Sequence, residues 1–328
     1  MPLIMLFCQK FELYDYVDAR KIHSGKIPRL GGIAIALGFF ISAGFYLKIN
    51  PNISLKGNLP VLCSALIIFA FALADDILNF HAFVKLMAQL AACLIVMFNN
   101  YRFTQILGWH LPSFVSYGLT FCWILGLINA FNLIDGMDGL CGSISFLIAI
   151  TLGIQNHLSG NPTSGLCFIF SASILGFLCF NRPPAKIFMG DCGSQFLGFM
   201  IAILPLYPAG NRVEYNKFLY MVVLTAFPVF DTIAAILRRI IGKQPIFRGD
   251  KAHLHHKLLN FNYTVPKILC LIDGVQFFIG FSVILSYFQE RNKATAILFH
   301  TSILLVMFFI IIHFSYKSFL EKNRLKGE

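Results

Sequence analysis

Leu59-Pro60-Val61-Leu62-Cys63-Ser64-Ala65-Leu66-Ile67-Ile68-Phe69-Ala70-Phe71-Ala72-Leu73-Ala74-Asp75-Asp76 runs sixteen residues without a charge and then closes on two adjacent carboxylates. Such a run approaches the length that crosses a hydrocarbon core as a helix, about 17 to 25 residues. A carboxylate at the centre of that helix would cost about 2.5 to 3.5 kcal/mol on insertion scales. Acids fastened to the ends of apolar runs therefore point to function and not to solubility. The pattern recurs. Five of the fifteen acidic residues sit in three short motifs, Asp75-Asp76, Asp135 with Asp138, and Asp191, each at the end of a long apolar run.

The composition makes the whole chain a membrane protein: 57% of its residues are hydrophobic and only 12% are charged, about half the charge of a soluble domain. Ten apolar runs follow one another with short polar joints, at 30–48, 59–74, 82–98, 113–130, 140–158, 164–180, 192–207, 217–237, 268–288 and 294–315. They predict an all-α, polytopic bundle of about ten transmembrane helices forming a single domain over 1–328. The stretch 1–8 is apolar but too short to span, and no cleavage-site pattern follows it. Nine cysteines are scattered singly without C-x-x-C spacing, so they read as small packing residues and not as disulfides or metal ligands.

Ten crossings put both termini on one face, and the basic residues choose it. The joints of that face hold Lys10, Arg20, Lys21, Lys26, Arg29, Lys85, Arg182, Lys186, seven basic residues within 238–267 and four from Lys317 onward, nineteen of the 26. By the positive-inside rule this face is cytoplasmic, and all three acidic motifs fall on it. The net charge of +11 thus describes topology and contact with anionic lipid. No basic arm, aromatic-basic interleaving or soluble domain supports nucleic-acid binding.

Chemistry must come from the joints of that face, near 75–85, 129–140, 181–194 and 238–267, with a basic entry joint before them. In the entry joint, Ile27-Pro28-Arg29-Leu30-Gly31-Gly32 reads either as a basic flank or as a glycine pair admitting close backbone approach. Asp75-Asp76 is followed by Lys85. Adjacent helical residues point about 100° apart, so one carboxylate could face a phosphate or metal while the other fixes Lys85 or a helix end. Capping by Asp76 accounts for one aspartate and not for two. Asn132, Asp135 and Asp138 recur every third residue with glycines after both aspartates; oxygen donors of this kind suit Mg²⁺ or Mn²⁺ and not zinc, although Asp-Gly also marks ordinary turns. Gly190-Asp191-Cys192-Gly193-Ser194 sets a carboxylate in a glycine-rich helix entry, where backbone N–H groups favour anions. The longest joint carries Arg248, His253, His255 and His256, which read as donors for phosphate or sugar oxygens because no further ligand completes a zinc site.

Taken in order, Asp75-Asp76 with Lys85, N-x-x-D-G-x-D-G, F-M-G-D-x-G-S and H-x-H-H resemble the motifs of the polyprenyl-phosphate N-acetylhexosamine-1-phosphate transferase superfamily, from about Asp18 to Leu259. The entry joint and the H-L-H-H form are similar to the bacterial branch that begins O-antigen, common antigen or teichoic acid synthesis. The resemblance implies attack by an undecaprenyl phosphate oxygen on the β-phosphorus of a UDP-N-acetylhexosamine, most simply UDP-GlcNAc, releasing UMP with Mg²⁺ or Mn²⁺ bound. It also implies roles: Asp191 and Asn132 at the metal; Asp75, Asp76 and Asp138 among catalytic groups, with Asp76 orienting Lys85; Lys85, Asp135, Arg248, His253, His255 and His256 on the substrates. Expected partners are undecaprenyl phosphate, the UDP-sugar, the bilayer of a bacterial inner membrane and a second copy of the chain as a homodimer. Members of the superfamily commonly carry one more N-terminal span, eleven in all, so the chain either begins upstream or works with ten.

Two alternatives stand beside this reading. A phospho-MurNAc-pentapeptide transferase would share the acidic motifs but commonly has a different histidine segment. A cation-coupled transporter would place carboxylates near span centres and repeat its halves, and neither feature is seen.

Overall fold

Backbone N–H and C=O groups find no partners in lipid, so an apolar run satisfies them internally as a helix. The computed structural model describes residues 1–15, 27–51, 53–207, 211–245 and 253–327 and is almost wholly helical. In chain order come α1 (Pro2–Lys10), β1 (Tyr14–Asp15), β2 (Ile27–Pro28), α2 (Gly32–Ile49), α3 (Leu55–Leu78), α4 (Ala82–Phe98), β3 (Gln105–Ile106), β4 (Trp109–His110), α5 (Ser113–Ile134), α6 (Leu140–Leu158), α7 (Ser164–Asn181), α8 (Gly190–Ile203), α9 (Asn211–Leu224), α10 (Ala226–Ile241), α11 (Leu254–Asn260), α12 (Val265–Tyr287) and α13 (Arg291–Gly327). The strands form two short antiparallel ribbons, β1 with β2 and β3 with β4.

Among the described residues, α2, α3, α5, α6, α7, α12 and α13 are long and apolar enough to cross a membrane, and α9 with α10 form an eighth candidate as a bent pair. The remaining apolar runs, at 82–98 and 192–207, form the shorter helices α4 and α8. The chain is a multi-pass membrane protein.

One further expected span is bent. The run at 217–237 is not straight but breaks at Thr225, and its halves meet at 61°. Pro228 has no N–H to offer the Leu224 carbonyl four residues back, and its ring crowds that position. The Gln276 side chain from α12 donates to that carbonyl instead, at 3.0 Å, so no buried acceptor is orphaned.

The short helix α8 lies at the centre. Every α8 residue from Cys192 to Ile203 is buried, packed against α3, α5 and α2. The Phe196 ring meets Phe39 and Phe170 edge-on, with centroids 5.9 and 6.1 Å apart. On the outside, Leu37, Ile41 and Phe45 of α2 and Phe277, Phe281 and Phe288 at α12 are exposed, spaced by four or more residues along each helix. Contiguous apolar faces of this size suit lipid and not water. All nine cysteines are free thiols; five are buried, and Cys63, Cys122, Cys179 and Cys270 face outward. Successive helices alternate in direction, so the ends of α3, α5 and α7 meet the starts of α2, α4, α6 and α8 at one end of the bundle.

Candidate active site

The site begins where α3 stops. Asn79 takes a left-handed conformation (φ 53°) and its N–H closes on the Asp75 carbonyl at 2.8 Å. The Asp75 side chain folds over the same turn and accepts the Phe80 N–H at 2.8 Å. His81 then caps α4 by accepting the Phe83 N–H at 3.3 Å, and one turn into that helix Lys85 comes back over Asp75. Their ammonium and carboxylate form an ion pair. Lys85 also reaches Asp191 Oδ2 at 3.3 Å, and the other Asp191 oxygen accepts from Asn132 Nδ2 at 3.2 Å. Asn132 also donates to Ser194 Oγ at 3.0 Å. Four helices thus deliver Asp75, Lys85, Asn132 and Asp191 to one cluster. The Asp75 side chain is 5% exposed, whereas Lys85 and Asp191 keep 33% and 36%, so the cluster is open on the Lys85–Asp191 side.

Asp76 faces the other way. Its Oδ1 accepts the Asp191 N–H at 3.0 Å and its Oδ2 the Cys192 N–H at 2.9 Å. This caps the start of α8, where a negative charge is favoured by unpaired N–H groups and the helix dipole. The Asp76 carbonyl accepts from Arg29 Nη2. The entry joint is laced to the same place: Phe188 N–H donates to Pro28 O at 2.7 Å, Gly31 N–H to Phe188 O at 2.8 Å, and Gly32 N–H to Met189 O at 2.8 Å. Two glycines make this possible. A Cβ on Gly32 would stand 2.4 Å from Gly193 N, and Gly190 (φ +77°) would meet Arg29 O at 2.4 Å. The expectation that Asp76 orients Lys85 is therefore corrected: Asp75 holds Lys85, and Asp76 holds the helix that carries Asp191.

The third and fourth motifs are tied to each other. Asp138 Oδ2 accepts the Ala185 N–H at 2.9 Å. Asn181 accepts the Gly139 N–H at 2.9 Å and donates to Ile187 O at 2.8 Å. Asp138, expected among catalytic groups, fixes the 182–189 loop in this structure. Asp135 closes α5 as its C-cap residue.

The histidines pack together, with the His255 ring centroid 4.2 Å from His256 and 5.9 Å from His253. His253 and His255 are buried, and His256 is half-buried. His253 Nδ1 lies 2.8 Å from Asp231 Oδ2, and Asp231 Oδ1 accepts the Leu254 N–H at 2.9 Å. His255 Nε2 sits 2.9 Å from where a Cβ would stand on Gly136, so the cluster lies against the Asp135–Asp138 loop. Burial first, and then the neighbouring His256, pushes His255 down to about 3. At neutral pH it is an uncharged imidazole and no cationic phosphate partner. Arg248 lies outside the described residues.

Asp231 and Asn181 escaped the sequence reading, and Ser194 was read only as part of the F-M-G-D-x-G-S motif, without a role. Asp231 had a signal, since it is a lone carboxylate inside an apolar run. Asn181 had none that separates it from ordinary helix-end residues.

Among the described residues no group of three or more His, Cys, Asp or Glu side chains is placed to hold a metal. Mg²⁺ does not need such a cage, because it keeps several waters and takes one or two carboxylates together with substrate phosphates. A partly exposed Asp191 carboxylate beside the Asn132 amide is an oxygen donor set that fits it.

Sequence comparison places the chain among known proteins. The family model described as glycosyl transferase family 4 matches residues 58–209. The Bacillus subtilis protein named "Probable undecaprenyl-phosphate N-acetylglucosaminyl 1-phosphate transferase" is 34% identical over 86% of this chain and 80% of its own length. The decaprenyl-phosphate N-acetylglucosaminephosphotransferase of Mycobacterium leprae is 28% identical over 90% and 82%. The undecaprenyl-phosphate alpha-N-acetylglucosaminyl 1-phosphate transferase of Escherichia coli K12 is 28% identical over 80% and 74%. With its acidic motifs gathered around α8 and a relative of this identity along most of its length, the chain belongs to the polyprenyl-phosphate N-acetylhexosamine-1-phosphate transferase superfamily, glycosyl transferase family 4.

Proposed function

We propose that the protein transfers N-acetylglucosamine 1-phosphate from UDP-GlcNAc to undecaprenyl phosphate at the cytoplasmic face of a bacterial inner membrane, releasing UMP and starting a lipid-linked surface glycan. The observation that carries the reading is the Asp75–Lys85–Asp191–Asn132 cluster at the ends of membrane-spanning helices. There a lipid phosphate can arrive sideways from the bilayer and a nucleotide from water. The names of the relatives supply the sugar and the lipid.

An oxygen of the lipid phosphate forms a bond to the β-phosphorus of the UDP-sugar as the bridging bond to the α-phosphate breaks and its electron pair leaves with UMP. Such transfers depend on positioning and charge neutralisation more than on covalent help from the protein. Lys85, steadied by Asp75 and partly exposed beside Asp191, presents a positive charge to the phosphate oxygens. Asp76 and Asn132 fix where the Asp191 carboxylate stands. A divalent cation, Mg²⁺ or Mn²⁺, would be held by Asp191 and Asn132 with phosphate oxygens and would supply further neutralisation. His256, with the neutral His255 behind it, lies where sugar or diphosphate oxygens could be recognised next to the Asp135 loop.

The test is transfer of radiolabel from UDP-GlcNAc to an organic-extractable lipid by the purified protein with undecaprenyl phosphate and Mg²⁺. Chelation should stop it, and Asp191→Asn should lower kcat about a hundredfold or more. Folded protein that labels no lipid from any UDP-sugar would sink the proposal.

A further inference from the structure

Below the cluster lies a second layer of polar side chains. Asn129 Nδ2 donates to Gln89 Oε1 at 3.2 Å, and Gln89 Nε2 donates to Gln195 Oε1 at 3.1 Å. The three amides come from α5, α4 and α8, the same helices that carry Asn132, Lys85 and Asp191. Each stands one turn from its counterpart on its own helix: Gln89 four residues after Lys85, Gln195 four after Asp191, Asn129 three before Asn132. Residues three or four apart share a helix face. Because α5 runs opposite to α4 and α8, all three steps lead into the bundle. Gln89 and Gln195 are both 5% exposed, and a buried amide costs stability unless it is paired.

Packing alone would be served by apolar residues here. What a chain of amides adds is register: a slide of one helix by a single residue, about 1.5 Å, breaks the chain. The same slide would draw Lys85 away from Asp191, whose present separation of 3.3 Å leaves little slack.

We infer that Asn129, Gln89 and Gln195 are positioning residues that hold α4, α5 and α8 in the register at which Lys85, Asn132 and Asp191 converge. The inference rests on the reaction proposed above for its kinetic consequence, but not for its geometric one.

Both are read on the full-length protein in detergent, with Asn129→Leu, Gln89→Met, Gln195→Met and the Gln89→Met/Gln195→Met double variant. Asn129 is exposed, so its variant keeps the test usable should the buried ones fail to fold. Limited acylation by an amine reagent, followed by mass spectrometry, reports how firmly Lys85 is held. Labelling of Lys85 should rise about threefold or more in every folded variant. In sugar transfer, kcat should fall about tenfold or more while KM for the UDP-sugar stays within about threefold. The double variant should be no slower than Gln89→Met alone, because that single change already removes both hydrogen bonds of the chain.

Unchanged Lys85 labelling and wild-type kcat in the folded variants would overturn the inference, as would a rise in KM at constant kcat, which marks a substrate contact. A wild-type protein that transfers no sugar phosphate, but whose Lys85 is still released by the variants, removes the proposed reaction and keeps the alignment.

Discussion

Adjacent positions on a helix point about 100° apart, and the Asp75-Asp76 pair puts that angle to use. One carboxylate turns into the cluster and pairs with Lys85, and the other turns away and accepts two N–H groups at the start of α8. Their variants should differ in kind. Asp76→Ala removes a cap and leaves two buried donors unpaired, a loss of about 1 to 3 kcal/mol, to be seen as a lowered melting temperature in detergent together with lost activity. Asp75→Asn keeps an acceptor for the Phe80 N–H and loses the charge that steadies Lys85. Its melting temperature should change little while kcat falls about tenfold or more. The shape of its pH profile decides a further point. A phosphate monoester has a second pKa near 6, so most of the lipid phosphate is already dianionic at pH 7 and needs no base. The Asp75→Asn profile should keep its wild-type position, and a steep alkaline shift would instead make Asp75 the base.

The bend between α9 and α10 creates the platform for the histidines. Because the run turns at Thr225, the second limb carries Asp231 to His253 and the Leu254 N–H, anchoring α11 against the Asp135–Asp138 loop. This attachment should be sensitive to acid. His255 is held near 3 in the fold and returns to an ordinary value near 6.5 on unfolding, so below that value the unfolded chain binds the extra proton. Its contribution is complete above about pH 6.5 and is lost as pH falls toward 3, at up to about 1.4 kcal/mol per pH unit. Wild-type protein should therefore lose more melting temperature between pH 7.5 and pH 5 than His255→Leu does. Equal losses would show that His255 does not govern the acid limb. The same limb marks where the sequence was readable and where it was not. Hydrophobic length alone locates all ten apolar helical runs, of which seven, or eight with the bent pair, are long and apolar enough to cross among the described residues. The break at Thr225 has a local signal in Pro228, but the partner that satisfies the freed Leu224 carbonyl, Gln276, lies 52 residues away, and pairing at that distance leaves no local pattern. Asp75, Lys85 and Asp191 were legible because charge is conspicuous in an apolar chain, and Asn132 because it recurs in step with Asp135 and Asp138. Which aspartate meets Lys85 was not, because it depends on how the α3–α4 turn closes.

Across the bundle, the charge asymmetry and the site agree on one direction. The ends that carry the acidic motifs also carry Arg29, Lys85, Arg182, Lys186, Arg238, Arg239, Lys243, Lys257 and Lys267, whereas Lys48, Lys56, Arg102, Lys217, Arg291 and Lys293 belong to the opposite ends of their helices. A flank rich in lysine and arginine is retained in the cytoplasm when loops are short, and the donor UDP-sugar of the proposed reaction is a cytoplasmic metabolite class that an outward-facing cluster could not meet. The proposed chemistry thus requires the orientation that the basic residues predict. Reporter fusions separate the two faces. Alkaline phosphatase, active only outside the cytoplasm, should be active when joined after Gly108 in the β3–β4 turn and silent when joined after Lys243, and a fluorescent protein that matures only inside should give the reverse. The opposite pattern at both positions would place the Lys85–Asp191 cluster outside the cell, and the nucleotide-sugar donor would have to be abandoned with it.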